Sequence, residues 1–321
     1  MTAKIVFVAG MPGAAETARD LLPAGYELVI AVPGSADFVE AIGHADYLVG
    51  FVDDLVDDVL YERAPRLRLI QLLSAGYNRI DLGSARRAGV PIANNGGANS
   101  VAVSEHALML MLAVSKQLVS QHAKVAAGLW QGNGLPHLSE LGRKTLGIIG
   151  LGNIGKKVAR LGNAFGMDVA YNDIARLSDD AEDAAGVRFL LLGELLRDAD
   201  IVTLHVPLND GTRQMIGPAE LARMKPSAIL INTSRGPVID EPALCAALAN
   251  GDIAGAGLDV FDQEPPAADN PLFALPNVTL TAHVAGPTWE SNAARVRNAF
   301  DNVQRVERGD APLWVIPELR G

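Results

Sequence analysis

The chain has 321 residues, long enough for two domains, and 49% of them are hydrophobic, enough for sizeable cores. Its formal net charge is -10 and no basic stripe or run appears. That argues against nucleic acid or an anionic membrane surface as partner. Cys245 is the sole cysteine, so no intrachain disulfide can form. With no signal-peptide pattern in MTAKIVFVAG, a reducing, cytoplasmic setting is the expectation.

Residues 1–99 read as an α/β unit. Ile5–Ala9, Leu28–Val32, Tyr47–Phe51, Leu69–Leu73 and Val90–Ala93 are short apolar runs. Helix-like segments such as Ala14–Leu22 and Leu55–Tyr61 lie between them, and this alternation predicts parallel strands joined by crossover helices. The turn Ser74-Ala75-Gly76-Tyr77-Asn78 follows an apolar strand. Its small residues allow backbone N–H groups to converge on an anion such as a carboxylate. An ordinary strand-to-helix turn, with Asp81 capping the next helix, fits the spacing equally well.

Asn94–Ser100 (NNGGANS) is a turn cluster, and a long helix is predicted from Val101 to about Gly128 with Ser100 as N-cap. The stretch Ala107–Val114 is apolar nearly all round, so this helix should be buried between layers or subunits. The apolar stretch Ala107–Val114, the longest in the chain, is far too short to span a membrane. Both an interdomain hinge and a homodimer contact through residues 101–128 are expected of the helix. Trp130 and a polar segment, Gln131–Gly134, follow.

Residues 143–173 carry the most informative pattern. The apolar run Leu146–Ile149 enters Gly150-x-Gly152-x-x-Gly155, a helix-like segment follows with Val158, Leu161 and Phe165, and a second run, Met167–Tyr171, leads to Asp173. Strand, glycine turn, helix, strand and acid in that order predict a dinucleotide-binding βαβ unit. The glycines serve a tight turn, close approach of a pyrophosphate and helix–strand packing, while the helix N-terminus faces the phosphates. A carboxylate at Asp173 accepts hydrogen bonds from both ribose hydroxyls of NAD and repels the 2′-phosphate of NADP. Arg176 leaves NADP as the less favoured alternative. A structural turn with a surface acid is the plain reading of the same pattern.

Beyond an acid-rich surface stretch, Asp179–Asp183, strands are predicted at Ile201–Val206, Ile229–Asn232, Ile253–Leu258 and Val278–Thr281. Helices at Leu191–Arg197, Pro218–Met224 and Glu241–Asn250 separate them, and a last helix covers Glu290–Gly309. Cys245, in PALCAALAN, reads as a packing residue. Three strand ends each deliver a polar group: Asn232-Thr233-Ser234-Arg235-Gly236, then Asp259 through Glu264, then Thr281-Ala282-His283. An Arg, a carboxylate and a His at one sheet edge supply anion clamping, proton transfer and tuning of the proton donor. Taken singly, each also has an ordinary structural reading.

The chain resembles the D-2-hydroxyacid dehydrogenases, the family that includes phosphoglycerate dehydrogenase and glyoxylate/hydroxypyruvate reductase. The matching pieces are SAGYNRID, SVAVSEHA, GIIGLGNIG, LHVPL, INTSRGPVID, GLDVFDQEP and AHVAGPTWES, in this order along nearly the whole chain. The resemblance implies two doubly wound parallel-sheet domains. A Rossmann NAD-binding domain, 100–286, would be inserted into a flavodoxin-like substrate domain, 1–99 with 287–321. Closure of a cleft would exclude water from the hydride path.

It also implies roles. Arg235 would grip the substrate carboxylate and carbonyl oxygen. His283 would exchange a proton with that oxygen, and Glu264 would hydrogen-bond the far nitrogen of His283 and fix its tautomer. Backbone N–H groups at Ala75 and Gly76 would bind the substrate carboxylate. Gly150, Gly152, Asn153, Ile154, Gly155 and Asp173 would hold the NAD backbone, with Thr233, Ser234 and Asp259 at the nicotinamide end. No metal is called for. His205, in LHVPL, has no acid at matching spacing and is not assigned. Trp130 and Trp289 are candidates for a pocket wall, Trp130 from a partner subunit, and ordinary packing suits both equally.

Ala282 replaces the proline that relatives carry before the histidine, and Glu264 argues against the glutamine-paired chemistry of formate dehydrogenases. A dinucleotide-sensing, corepressor-like binding protein on the same fold is the alternative, because such proteins keep an Arg/Glu/His set. They would need extra tails, and none is evident.

Overall fold

A computed structural model describes residues 2–130 and 138–320, so the Gln131–Gly134 segment lies outside the described residues. The chain divides into two compact units, residues 1–99 with 287–321 and residues 100–286.

The first unit holds five parallel strands, β1 (Ala3–Val8), β2 (Tyr26–Ile30), β3 (Tyr47–Gly50), β4 (Leu69–Leu72) and β5 (Ile92–Ala93), in the order β2-β1-β3-β4-β5. That is the flavodoxin-like order. Strands β3 and β4 are buried throughout, which explains their unbroken apolar character. The exception is Gln71 in β4, fully buried. Its Nε2 donates to the Asn94 carbonyl at 2.8 Å, and its Oε1 accepts from Asn302 Nδ2 at 2.7 Å. Asn302 also exchanges two hydrogen bonds with the Leu313 backbone. It lies on the helix Trp289–Glu307, whose Val296, Ala299, Phe300 and Val303 complete a core with Ile5, Phe7, Tyr47 and Val49.

The second unit holds seven parallel strands, β6 (Thr145–Ile149), β7 (Asp168–Asn172), β8 (Arg188–Phe189), β9 (Ile201–Leu204), β10 (Ile229–Asn232), β11 (Gly255–Leu258) and β12 (Val278–Leu280). Their order is β12-β11-β10-β9-β6-β7-β8. It reverses between β6 and β9, and ligands of such sheets collect at the carboxyl ends flanking that point. The helix Ser100–Ser115 buries Ala107, Leu110 and Met111 in a core with Ile148 and Ile231. A Cβ at Gly257 would stand 3.0 Å from the Leu110 Cβ, so the helix rests closely on β11.

Two expectations change, and one surface stretch gains a structure. The long helix predicted over 101–128 is two helices, Ser100–Ser115 and Leu118–Ala126, because Gln117 adopts φ 50 and a left-handed residue cannot continue a right-handed helix. Ser100 is the first residue of its helix, not the cap before it. The acid-rich stretch is a helix, Asp179–Ala185, with Asp179, Asp180 and Glu182 in its first turn, where the helix dipole favours negative charge. Among the described residues no helix is long and apolar enough to cross a membrane.

Candidate functional site

At the end of β6 the glycine turn divides its labour. Gly150 has φ 94, and a Cβ there would lie 2.5 Å from the His205 carbonyl oxygen. A Cβ at Gly155 would strike the Gly150 carbonyl oxygen. The packing of the protein's own backbone therefore demands both glycines. Gly152 is different: it is exposed, and nothing among the described residues stands within 4 Å of the place its Cβ would take. It is the N-cap of the helix Asn153–Ala164 and has no side chain to offer the first-turn N–H groups, which carry the positive end of the helix dipole. A dinucleotide pyrophosphate fits this cradle. Gly155→Ala is expected to cost about 1–3 kcal/mol as the turn shifts, read as a lowered Tm together with weakened NADH binding in a fluorescence titration.

Asp173 lies just past β7. Its Oδ2 accepts from Leu151 N at 2.6 Å and its Oδ1 from Ala175 N at 3.1 Å, so the acid is tied to the glycine turn. Arg176 turns to other partners. Its guanidinium meets Glu182 at 2.9 Å and Asp179 at 3.0 Å and lies 5.5 Å from the centre of the Phe189 ring. Glu182 is buried and also accepts from the Tyr171 hydroxyl at 2.8 Å.

The three polar strand ends belong to β10, β11 and β12, neighbours in the sheet. After β10, buried Asn232 shapes the turn: its Oδ1 accepts from Ser234 N and Oγ at 2.9 and 2.7 Å, and its Nδ2 donates to the Arg235 carbonyl at 2.8 Å. The Thr233 Oγ1 is buried with no hydrogen-bond partner among the described residues. Arg235 is half-buried, with Nη1 donating to the Ser234 carbonyl at 2.6 Å. The next residue must be glycine, since a Cβ at Gly236 would collide with the Phe261 carbonyl. This contact presses the β10 and β11 turns together.

Glu264 is held in the loop after β11 by Phe261 N, which donates to its Oε1 at 3.1 Å. Glu241 steadies the same loop through Asp262 N at 2.9 Å and Asn270 Nδ2 at 2.7 Å. The other Glu264 oxygen, Oε2, lies 2.6 Å from His283 Nδ1. Burial pushes the Glu264 carboxyl up. The His283 hydrogen bond and charge, the Phe261 N–H and nearby Arg235 together outweigh burial and hold it below the ordinary glutamate range. With Nδ1 directed to a carboxylate, Nε2 is the nitrogen left for proton exchange. The His283 side chain is 47% exposed, so solvent-borne reactants reach it.

Asp259 sits beneath this site. It is fully buried, with its carboxylate engaged by Thr281 Oγ1, Val284 N and Ala285 N. Its visible task is to hold the His283 turn. His205 is neutral in character: burial pushes it down to about 3, its Nε2 lies 3.0 Å from Thr203 Oγ1, and its Nδ1 has no partner among the described residues.

The second unit thus brings together Arg235, Glu264, His283, Thr233, Ser234 and Asp259 on adjacent strand ends and places the glycine turn and Asp173 on β6 and β7. Ala75 and Gly76 belong to the first unit, half-buried after β4, where Ser74 Oγ donates to the Gly76 carbonyl at 2.7 Å. Trp130 and Trp289 are about three-quarters exposed, at 75% and 74%. Trp289 lies against Gly13, in whose place a Cβ would be 2.7 Å from the indole. Sequence reasoning missed His106, which carries no spacing signal and reaches Thr281 only across the fold, at 2.9 Å.

Comparison with known proteins agrees over most of the chain. The sequence model described as "D-isomer specific 2-hydroxyacid dehydrogenase, NAD binding domain" matches residues 108–285. A glyoxylate reductase of Korarchaeum cryptofilum is 38% identical over 285 residues, covering 88% of this chain and 86% of the relative. A glyoxylate reductase from Paecilomyes thermophila superposes with a TM-score of 0.86 at 30% identity, covering all of both chains. The D-lactate dehydrogenase from Aquifex aeolicus, solved with NAD and lactic acid, gives 0.79 at 30% identity and covers 95% of this chain and 96% of that one. A family-wide sequence pattern, relatives aligned over most of their length and two doubly wound sheets all converge, and the chain belongs to the D-isomer specific 2-hydroxyacid dehydrogenase family of oxidoreductases.

Proposed function

We propose that this protein is an NAD-dependent D-2-hydroxyacid dehydrogenase that interconverts a small 2-keto acid and its D-2-hydroxy acid, with His283 as proton donor and acceptor. The observation that carries this reading is the 2.6 Å contact between His283 Nδ1 and Glu264 Oε2. It assigns the proton on Nδ1 and leaves Nε2 to serve the substrate oxygen. Bound NADH supplies the hydride. Arg235, a planar fork, holds the carboxylate and carbonyl of the keto acid, and its charge stabilises negative charge growing on the oxygen. Backbone N–H groups of Ala75 and Gly76 are assigned the substrate carboxylate. Gly152, Asn153 and Ile154 are assigned the pyrophosphate, Thr233 and Ser234 the nicotinamide end. Glyoxylate is the first substrate to try, as the reductase relatives suggest.

The cofactor we assign is NAD rather than NADP. Asp173 would meet the ribose hydroxyls, and Arg176, the cation nearest in sequence, is already matched by Glu182 and Asp179. Asp173→Ala is expected to lower the NAD-to-NADP ratio of kcat/KM by about tenfold to a hundredfold, the worth of one charge-assisted hydrogen bond. An unchanged ratio would count against the assignment. A homodimer is supported by the helix Leu118–Ala126, which among the described residues buries none of its own and leaves Leu118, Val119 and Val125 more than half exposed.

The test is loss of NADH absorbance with glyoxylate, hydroxypyruvate, pyruvate and a wider panel of 2-keto acids. Steady turnover with one of them is the expected result. Silence across the panel would overturn the dehydrogenase reading.

A further inference from the structure

His283 is held in an uncommon backbone conformation, φ 53, in the left-handed region. This bend lets the successive N–H groups of Val284 and Ala285 converge on the Asp259 carboxylate, each at 2.9 Å, while His283 N donates to the Asp259 carbonyl at 2.8 Å. A concave run of amides around an anion is a nest, and the conformation of the histidine is the condition for forming it. Whatever fixes the Asp259 carboxylate therefore fixes the direction in which His283 leaves the backbone.

Two side chains do so. Thr281 Oγ1 lies 2.5 Å from Asp259 Oδ1, and His106 Nε2 lies 2.9 Å from Thr281 Oγ1 and 3.4 Å from Asp259 Oδ1. The Thr281 hydroxyl donates to Asp259 Oδ1. The Thr281 oxygen then accepts, and His106 must be the tautomer with its proton on Nε2. Burial keeps the His106 imidazole below the ordinary histidine range, with Asp259 opposing, so the donor is neutral. His106 rides on the helix Ser100–Ser115, anchored in the core one residue away by Ala107, which is fully buried.

We propose that His106 and Thr281 are positioning residues for His283: a hydrogen-bond chain from a buried helix, through Asp259, to the two amides that set the histidine's direction. The inference rests on reading His283 as the proton donor.

The test compares His106→Phe with His106→Gln and Thr281→Val with Thr281→Ser in the full chain, with His283→Ala as reference. The readouts are kcat and KM for glyoxylate, NADH affinity by fluorescence, and Tm. The Phe and Val variants should lower kcat about tenfold to a hundredfold, the scale of a small misplacement of a reacting group, with NADH affinity unchanged. Gln and Ser, which keep the donor and the hydroxyl, should restore most of it. Added to His283→Ala, Thr281→Val should bring no further loss, since it acts through that histidine. Wild-type kcat in both Phe and Val variants, beside an inactive His283→Ala, would overturn the positioning role alone. So would an equal loss from Thr281→Val with or without His283. Wild-type turnover in His283→Ala would instead overturn the proton-donor reading itself. Should Thr281→Val fail to fold, the His106 pair decides by itself.

Discussion

Replacing His283 is expected to lower kcat by about 10²–10⁴-fold, the usual contribution of a positioned acid–base group, with NADH binding retained. The choice of variant matters because the residue is left-handed. Histidine and asparagine are found in that region several times more often than other side-chain-bearing residues such as alanine. His283→Asn therefore removes the proton donor with the least disturbance of the turn. The measurement pairs steady-state turnover of a 2-keto acid with NADH titration by fluorescence. Near-normal turnover in both variants would remove His283 from the mechanism.

Arg235→Ala is expected to lower kcat/KM by about 10²–10⁴-fold, from loss of two charge-assisted hydrogen bonds of roughly 1.5–3 kcal/mol each. Part of the loss should fall on KM, because on this reading the carboxylate would be gripped in the ground state. Part falls on kcat, because the carbonyl oxygen gains charge as the reaction proceeds. Arg235→Lys keeps the charge and loses the fork, so it should recover only a fraction. Substrate saturation curves at fixed NADH separate the two effects. If Arg235→Ala raised neither KM nor the barrier, the guanidinium would have no part in substrate binding.

Much of the architecture was legible because parallel strands are buried on both faces. Tyr47–Gly50 and Leu69–Leu72 read as unbroken apolar runs for that reason. The glycine turn was legible because its strand, glycines, helix and acid follow one another in one short segment, and Gly155 answers to the Gly150 carbonyl five residues away. Arg235, Glu264 and His283 stood out as a polar group after each of three successive strands, a local signal. What could not be read depends on contacts distant in sequence or on single torsions. Gln117 looks like any helical residue, yet its φ of 50 breaks the helix. Asp259 looks like a free strand-end acid, and only the folded turn shows it buried beneath its neighbours. His106 finds Thr281 across most of the second unit's length in sequence. The acid-rich stretch reads correctly as surface, and its helix, Asp179–Ala185, accepts the negative charge in its first turn.

The first unit draws on residues 1–99 and 287–321, and the final helix fills its core with Val296, Phe300 and Val303 while Asn302 satisfies the buried amide of Gln71. On the ribosome, the opening segment must therefore wait unfinished while the whole intervening unit emerges, a delay on the order of ten to forty seconds at ordinary synthesis rates. The second unit, continuous in the nascent chain, is free to fold in that interval, so order of birth and order of completion are reversed.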